Sequence, residues 1–143
     1  HVSTTMGSVR HTERFLRSDP PTHEELERLA ADVGRILGED VRGVTAEQGI
    51  AVAGTATSLA AIDGADEVHG YRMSLAACER ILAMLAALPL QERRRVEGLH
   101  PDRAPTIVAG ATILVESIRA FGLDEIEVSD ADILHGAALA AAP

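Results

Sequence analysis

The chain has few aromatic residues and a single cysteine. Its 143 residues include no tryptophan, one tyrosine and two phenylalanines, so alanine, leucine, isoleucine and valine must build the core. The lone Cys78 excludes an internal disulfide framework and a site made of paired thiolates. We therefore expect closely packed helices, Cys78 as a small core side chain, and a reducing, cytoplasmic environment.

Positive charge is scarce, and long apolar runs are missing. Thirteen basic residues against 22 acidic ones give a formal charge of -9, and no basic stripe is interleaved with aromatics. This argues against nucleic acid as a partner. A polyphosphate ligand would need local amides, basic side chains or a divalent cation to offset the overall repulsion. No segment approaches the roughly 20 consecutive apolar residues of a membrane span, so we expect no membrane partner.

The length fits a single domain over residues 1–143. The order of strand-like and helix-like segments predicts an α/β fold in which helices are in the majority. The predicted strands run from His1 to Met6, over Val9 to Leu16 after a turn at Gly7-Ser8, and from Ile126 to Val128. The predicted helices run from Thr22 to Gly38, where a capping box marks the start, from Ser74 to Pro89 and from Thr106 to Phe121. A final alanine-rich helix follows the last strand.

The segment Gly49 to Ala61 predicts a strand, a tight turn and a helix. The first amides of such a helix lack carbonyl partners and carry part of the positive end of the helix dipole, so phosphate binds there readily. Gly54 lets an anion approach the backbone, and Thr55 and Thr57 carry hydroxyl donors. The alternative is an ordinary turn that ends a strand and caps a helix.

Five segments in order resemble the exopolyphosphatase and guanosine pentaphosphate phosphohydrolase family. Each is weak alone, but the ordered set is specific and covers nearly the whole chain. The segments are Gly7-Ser8-Val9-Arg10 with Thr12-Glu13-Arg14-Phe15-Leu16, Gly54 to Ala60, Gly98 to Ala104, Ala109-Gly110-Ala111 with Ile113-Leu114, and Val128-Ser129-Asp130 with Gly136.

The resemblance implies a helix-rich, partial ribonuclease-H-like domain with a short mixed sheet, as in the actin, Hsp70 and sugar-kinase superfamily. It implies removal of terminal phosphate from inorganic polyphosphate, or of the 5′ phosphate from guanosine pentaphosphate, with Mg2+. By the same resemblance the phosphate loop of the second domain comprises Gly54, Thr55, Ala56 and Thr57.

The family's first domain and the glycine-rich hairpin that opens its second domain do not occur in the sequence. Because the chain also starts without methionine, we expect a fragment: the C-terminal part of the second domain, inactive alone. The ribonuclease-H-like sheet would keep strand three on one side and strands four and five on the other, separated by a gap. A separate N-terminal half, or self-association, would cover the exposed edges.

Several polar residues are candidates for the cleft, and none is assigned a catalytic role. Arg10 either faces phosphate or pairs with Glu13, and Glu13 either contacts water or Mg2+ or is a surface residue. Asp130 either caps a helix or lies behind the site. Gly7 and Ser8 complete this set. The six histidines show no spacing that gathers three around a metal.

Other basic residues receive structural interpretations. The run Arg93-Arg94-Arg95 favours a solvated helix face over a phosphate contact, and Arg103 is expected to anchor the next helix through backbone carbonyls or Asp102. His135 stands in a departure from the family pattern and is either a ligand contact or an exposed helical residue. Three functions stay open: a phosphatase part, a noncatalytic binding or assembly module, and an unrelated helical interaction domain.

Overall fold

The computed structural model describes residues 2–131, which form a helix-rich α/β fold around a small mixed sheet. The elements are α1 (Ser8–Phe15), α2 (His23–Asp40), β1 (Ile50–Val52), α3 (Ala53–Ile62), β2 (Tyr71–Ser74), α4 (Leu75–Ala87), α5 (Leu90–Arg93), a 3-10 turn (Pro101–Arg103), α6 (Ile107–Ala120) and β3 (Glu125–Ser129). The predicted C-terminal helix and His135 lie outside the described residues.

The sheet has the order β1-β3-β2. Strand β3 pairs in parallel with β1, so that Val52 lies opposite Ser129, and antiparallel with β2, so that Tyr71 lies opposite Val128. The carboxyl ends of β1 and β3 and the amino end of β2 therefore meet at one edge. Because ligands of open α/β sheets bind beyond the carboxyl ends of parallel strands, this edge is the place to look for a site.

The N-terminal prediction is wrong, because residues 8–15 form helix α1 rather than a strand. The side chains of this segment repeat with the spacing of a helix rather than a strand. His11 is 3% exposed and stacks on Phe15, which is four residues later and therefore on the same helix face, with ring centroids 5.8 Å apart. The Nε2 atom of His11 also lies 3.1 Å from Oδ2 of Asp32 on α2. Residues 2–7 form no strand either, so the described sheet is continuous, without the predicted gap.

The capping box that predicts α2 is confirmed. The Thr22 hydroxyl accepts a hydrogen bond from the Glu25 amide, and the Glu25 carboxylate accepts one from the Thr22 amide. The helix continues past the expected end at Gly38 to Asp40. Helix α2 packs on α6. The buried side chains of α2 are Leu29, Val33, Ile36 and Leu37.

Helix α6 is the centre of the fold and contacts α1, α2, α3 and α4. Helices α3 and α6 approach each other closely because Gly110 on α6 has no side chain. A Cβ at position 110 would lie only 2.5 Å from the hydroxyl oxygen of Thr55 on α3. The main core is made of aliphatic side chains, and its largest fully buried members include Leu59, Met73 and Leu85. Small residues at the helix contacts thus compensate for the scarcity of aromatics.

Cys78 lies in this core and is fully buried. Burial raises the pKa of its thiol to about 11, and the nearby charge of Asp63 acts in the same direction. The expectation of a small core side chain is confirmed. Across residues 2–131, the helices are too short or too polar for any of them to cross a bilayer.

Candidate phosphate-binding site

Helix α3 begins directly after strand β1, with Val52 as its N-cap and no side chain capping it. The parallel pairing of Val52 with Ser129 directs the Ala53 N–H at the Ser129 carbonyl, whereas the N–H groups of Gly54 and Thr55 have no carbonyl partner within the helix. Ala53 has a φ of 69°, a left-handed conformation that costs a non-glycine residue about 1 kcal/mol. The predicted strand, turn and helix are confirmed, with a turn tighter than expected.

A guanidinium group lies against this helix start. Arg103 ends the 3-10 turn, and its guanidinium occupies the space where a Cβ at Gly54 would stand. Among the described residues, its side-chain nitrogens have no hydrogen-bond partner, and Asp102 lies near His100 instead. The predicted pairing of Arg103 with Asp102 is therefore not found, and within residues 2–131 the side chain packs against Gly54. Its charge adds to the positive end of α3.

Arg93 holds the turn that carries Arg103. It is 4% exposed and donates to the carbonyls of Leu85 (3.1 Å), Ala104 (3.2 Å) and Leu88 (2.8 Å). The prediction that Arg93 belongs to a solvated face is wrong, because these carbonyls at the end of α4 and after the turn need a donor. Burial lowers the pKa of this guanidinium, and the charge of Asp19 opposes that effect.

The other residues of the predicted loop differ in what they offer a ligand. The Thr57 hydroxyl donates to the Gly54 carbonyl at 3.2 Å, within the helix. Ala56 is buried, and Thr55 rests on the Cα of Gly110. The first amides of α3 and the Arg103 guanidinium are thus the donors that this turn presents outward.

A groove of about 410 Å³ runs beside the free edge of β1 and brings Gly7 and Ser8 to the same surface as Thr55. On that strand Ile50 and Val52 are 61% and 47% exposed. The remaining lining is largely apolar and comes mostly from α6, the segment leading to β3, and β3; it includes Gly110, Ile113, Leu114, Ile118, Leu123 and Ile126.

Two other candidate residues, Arg10 and Glu13, do not line this groove. Arg10 is exposed and donates to the Thr5 carbonyl at 3.1 Å, so it does not pair with Glu13. Glu13 is exposed on α1 and does not line the groove. The sequence pattern of residues 1–16 does not separate these alternatives, because it predicts strands where the structure has helix α1.

Asp130 contacts His69 rather than a described helix start. Its Oδ1 lies 2.9 Å from Nδ1 of His69, and the Ser129 hydroxyl lies 3.2 Å from the same nitrogen. The Ser129 oxygen also accepts from the Ala131 amide. Sequence analysis missed His69, since β2 was not predicted and nothing else links residue 69 to residue 130.

The described residues do not fit a Mg2+ site by themselves. Magnesium prefers several oxygen ligands in octahedral geometry. No group of three or more histidine, cysteine, aspartate or glutamate side chains that could hold a metal occurs within residues 2–131.

Comparison with known proteins identifies the family. The model of the Ppx/GppA phosphatase family matches residues 1–142. The chain belongs to this family. A relative, exopolyphosphatase 2 of Mycobacterium tuberculosis, is 34% identical over 98% of this chain and 48% of its own length. Exopolyphosphatase 1 of Mycobacterium leprae is 27% identical over 89% of this chain and 40% of its own.

Solved structures of the family share the fold. The Aquifex aeolicus Ppx/GppA family member superposes with a TM-score of 0.84 and 28% identity over 94% of this chain and 47% of its own. An exopolyphosphatase-like protein gives a TM-score of 0.86 and 29% identity over 95% and 48%. The predicted ribonuclease-H-like, helix-rich fold with a mixed sheet is therefore confirmed. The chain spans about half the length of the relatives it matches.

Proposed function

We propose that this chain is part of a phosphatase that removes terminal phosphate from inorganic polyphosphate, and that it supplies one side of the phosphate site. The observation that carries the proposal is the Arg103 guanidinium lying against Gly54, at a helix start where no side chain caps the amides of Gly54 and Thr55. Membership of the Ppx/GppA phosphatase family and relatives named exopolyphosphatases support the substrate. Guanosine pentaphosphate is the second substrate that the family resemblance suggests.

The proposed role of this site is to hold phosphate oxygens and offset their charge. Backbone amides at a helix start are preorganised donors, and a guanidinium matches two oxygens of one phosphate. Phosphoryl transfer depends mainly on such positioning and charge stabilisation. No residue of the described part is assigned to activate the attacking water. Mg2+ is expected from the family resemblance, and we assign it no step here.

The proposed partner of this chain is the half of the family protein that it does not span. Strand β1 is at the edge of the sheet that residues 2–131 form, so within this part of the chain one row of its backbone N–H and C=O groups is open to a further strand. Exposed Ile50 and Val52 and the adjoining groove offer apolar surface for the same contact. Self-association through this edge is the competing use. A cytoplasmic location remains a prediction.

A mixing experiment tests the catalytic proposal. The chain is combined with a separately expressed N-terminal half, and phosphate release from polyphosphate is measured. We expect activity only from the mixture. Arg103→Gln should lower the rate, because it removes a proposed phosphate donor, and Arg28→Gln at an exposed position of α2 is the matched control. No activity in a mixture that forms a complex would favour a noncatalytic binding or assembly module.

Amide resonances test the site itself. Pyrophosphate should shift the amide signals of Gly54 and Thr55 in the isolated chain, because these groups are the proposed donors. If pyrophosphate leaves both signals in place, the start of α3 does not bind phosphate in this chain and the proposed site is wrong.

A further inference from the structure

A histidine lies at the same sheet edge as the start of α3. Gly70 donates its amide to the Val128 carbonyl at 2.7 Å, and Tyr71 begins β2 opposite Val128. His69 therefore lies just beyond the end of β3. Because Val52 at the end of β1 is opposite Ser129, this is also the edge where α3 begins.

The orientation of the His69 ring is set by its neighbours. Nδ1 lies 2.9 Å from the Asp130 carboxylate, which can only accept, so the proton is on Nδ1. The Ser129 side chain, within a residue that is 7% exposed, contacts the same nitrogen at 3.2 Å. Nε2 is on the other side of the ring and points away from Asp130. The side chain is 53% exposed, so a ligand can reach that atom.

We propose that His69 binds a second phosphate group of the polyphosphate chain whose end is held at Gly54. This inference rests on the proposed function and adds a residue to the same site. Strands β1 and β2 flank β3, and strand spacing puts their ends about 10 Å apart. Pyrophosphate is too short to cover that distance, whereas a longer polyphosphate crosses the edge of the sheet.

The charge of the ligand explains the need for such a contact. The chain carries a formal charge of -9, so polyphosphate is held only where local donors face it. With both ring nitrogens protonated, His69 donates from Nδ1 to Asp130 and from Nε2 to a phosphate oxygen, and the Asp130 carboxylate balances the charge of the ring. His69, oriented by Asp130, therefore contributes one hydrogen bond to binding. This bond raises the affinity only for ligands that are long enough to reach His69.

Calorimetric titration of the 143-residue chain tests this assignment. Long-chain polyphosphate should bind more tightly than pyrophosphate. His69→Gln should weaken long-chain binding about tenfold and leave pyrophosphate binding unchanged, since a single charge-assisted hydrogen bond is lost. His23→Gln is the matched control, because His23 is 87% exposed and pairs with Glu27 at 3.0 Å on α2. Unchanged unfolding midpoints verify that both variants fold.

Asp130→Asn separates orientation from charge. We expect weaker long-chain binding, because the ring loses the carboxylate that orients it. If Asp130→Asn strengthens long-chain binding and His69→Gln changes nothing, Asp130 acts only by repulsion and the assignment is wrong. If pyrophosphate shifts the Gly54 amide but His69→Gln keeps the chain-length preference, the histidine assignment alone fails. If pyrophosphate does not bind, the proposed function fails with it.

Discussion

The starts of α2 and α3 differ in what satisfies their first backbone amides. At α2, Thr22 and Glu25 bond each other's backbone, and Glu24 adds a second acid to the first turn. At α3, no side chain caps the helix, the first turn has no acid, and Arg103 adds positive charge at Gly54. The first helix start serves stability, and the second keeps its donors available at a cost in backbone strain at Ala53.

The largest expected effect concerns the packing behind the start of α3. Gly110→Ala places a Cβ 2.5 Å from the Thr55 hydroxyl oxygen, inside a buried contact. We expect a loss of about 2 kcal/mol in the free energy of unfolding, as for other overpacked cores. Urea denaturation measures it. The control is Gly34→Ala on α2, where a Cβ meets no atom within 4 Å and a gain of about 0.5 to 1 kcal/mol is expected.

The next effect falls on binding. Gly54→Ala displaces the exposed Arg103 guanidinium, which can move, so the fold should survive while pyrophosphate affinity falls about tenfold. Arg103→Gln should cost a similar factor. The double variant should lose no more than either single one, because both remove the same contact. Additive losses in a calorimetric titration would contradict the shared site.

Thr22→Ala tests the start of α2, the helix start whose amides are capped. Removal of the hydroxyl cap should lower the free energy of unfolding by about 1 kcal/mol, as measured by urea denaturation. Pyrophosphate affinity should stay unchanged, because this helix start has no open donors. A change in affinity would show that the two helix starts are not independent.

Ala53→Gly should relieve the strain at the start of α3. Glycine adopts a φ of 69° without the Cβ penalty but is more flexible when unfolded, so we expect a net gain of about 0.5 kcal/mol in unfolding free energy. Thermal unfolding followed by circular dichroism measures this. Destabilisation would indicate that the alanine methyl group makes a contact worth more than the strain.

The smallest effect is the pH dependence of the α2 cap. The amide of Thr22 lowers the pKa of Glu25 below its usual value, so its stabilising contribution is present above the usual pKa and disappears as the pH falls through the folded value. Glu25→Gln should therefore reduce the loss of stability between neutral and acid pH. Unfolding midpoints at both pH values would check it; equal acid sensitivity in the two proteins would contradict it.

What the sequence predicts well is local. The capping box and the passage from strand to helix at residues 49–61 depend on neighbours in the chain, and both are confirmed. The pattern of residues 9–16 predicts a strand although they lie in or next to α1, because short apolar patterns fit either period and the contact of His11 with Asp32 favours the helix.

What the sequence predicts poorly depends on distant contacts. Arg93 is buried because three carbonyls converge on it, and Arg103 reaches Gly54 across a gap of 49 positions in the chain. Neither residue has a local signal that separates it from an ordinary surface arginine. Residue propensities and the spacing of apolar residues predict each helix or strand separately, whereas contacts between distant segments bring the site residues together.

The buried Cys78 gives the protein a built-in probe of unfolding. Thiolates react with maleimides and iodoacetamide, and a thiol with a pKa of about 11 and no exposed surface stays unreactive at neutral pH. Alkylation of the chain would therefore report how often the core opens. A cysteine introduced at the exposed Val9 would label selectively with a fluorophore, without removal of the native one.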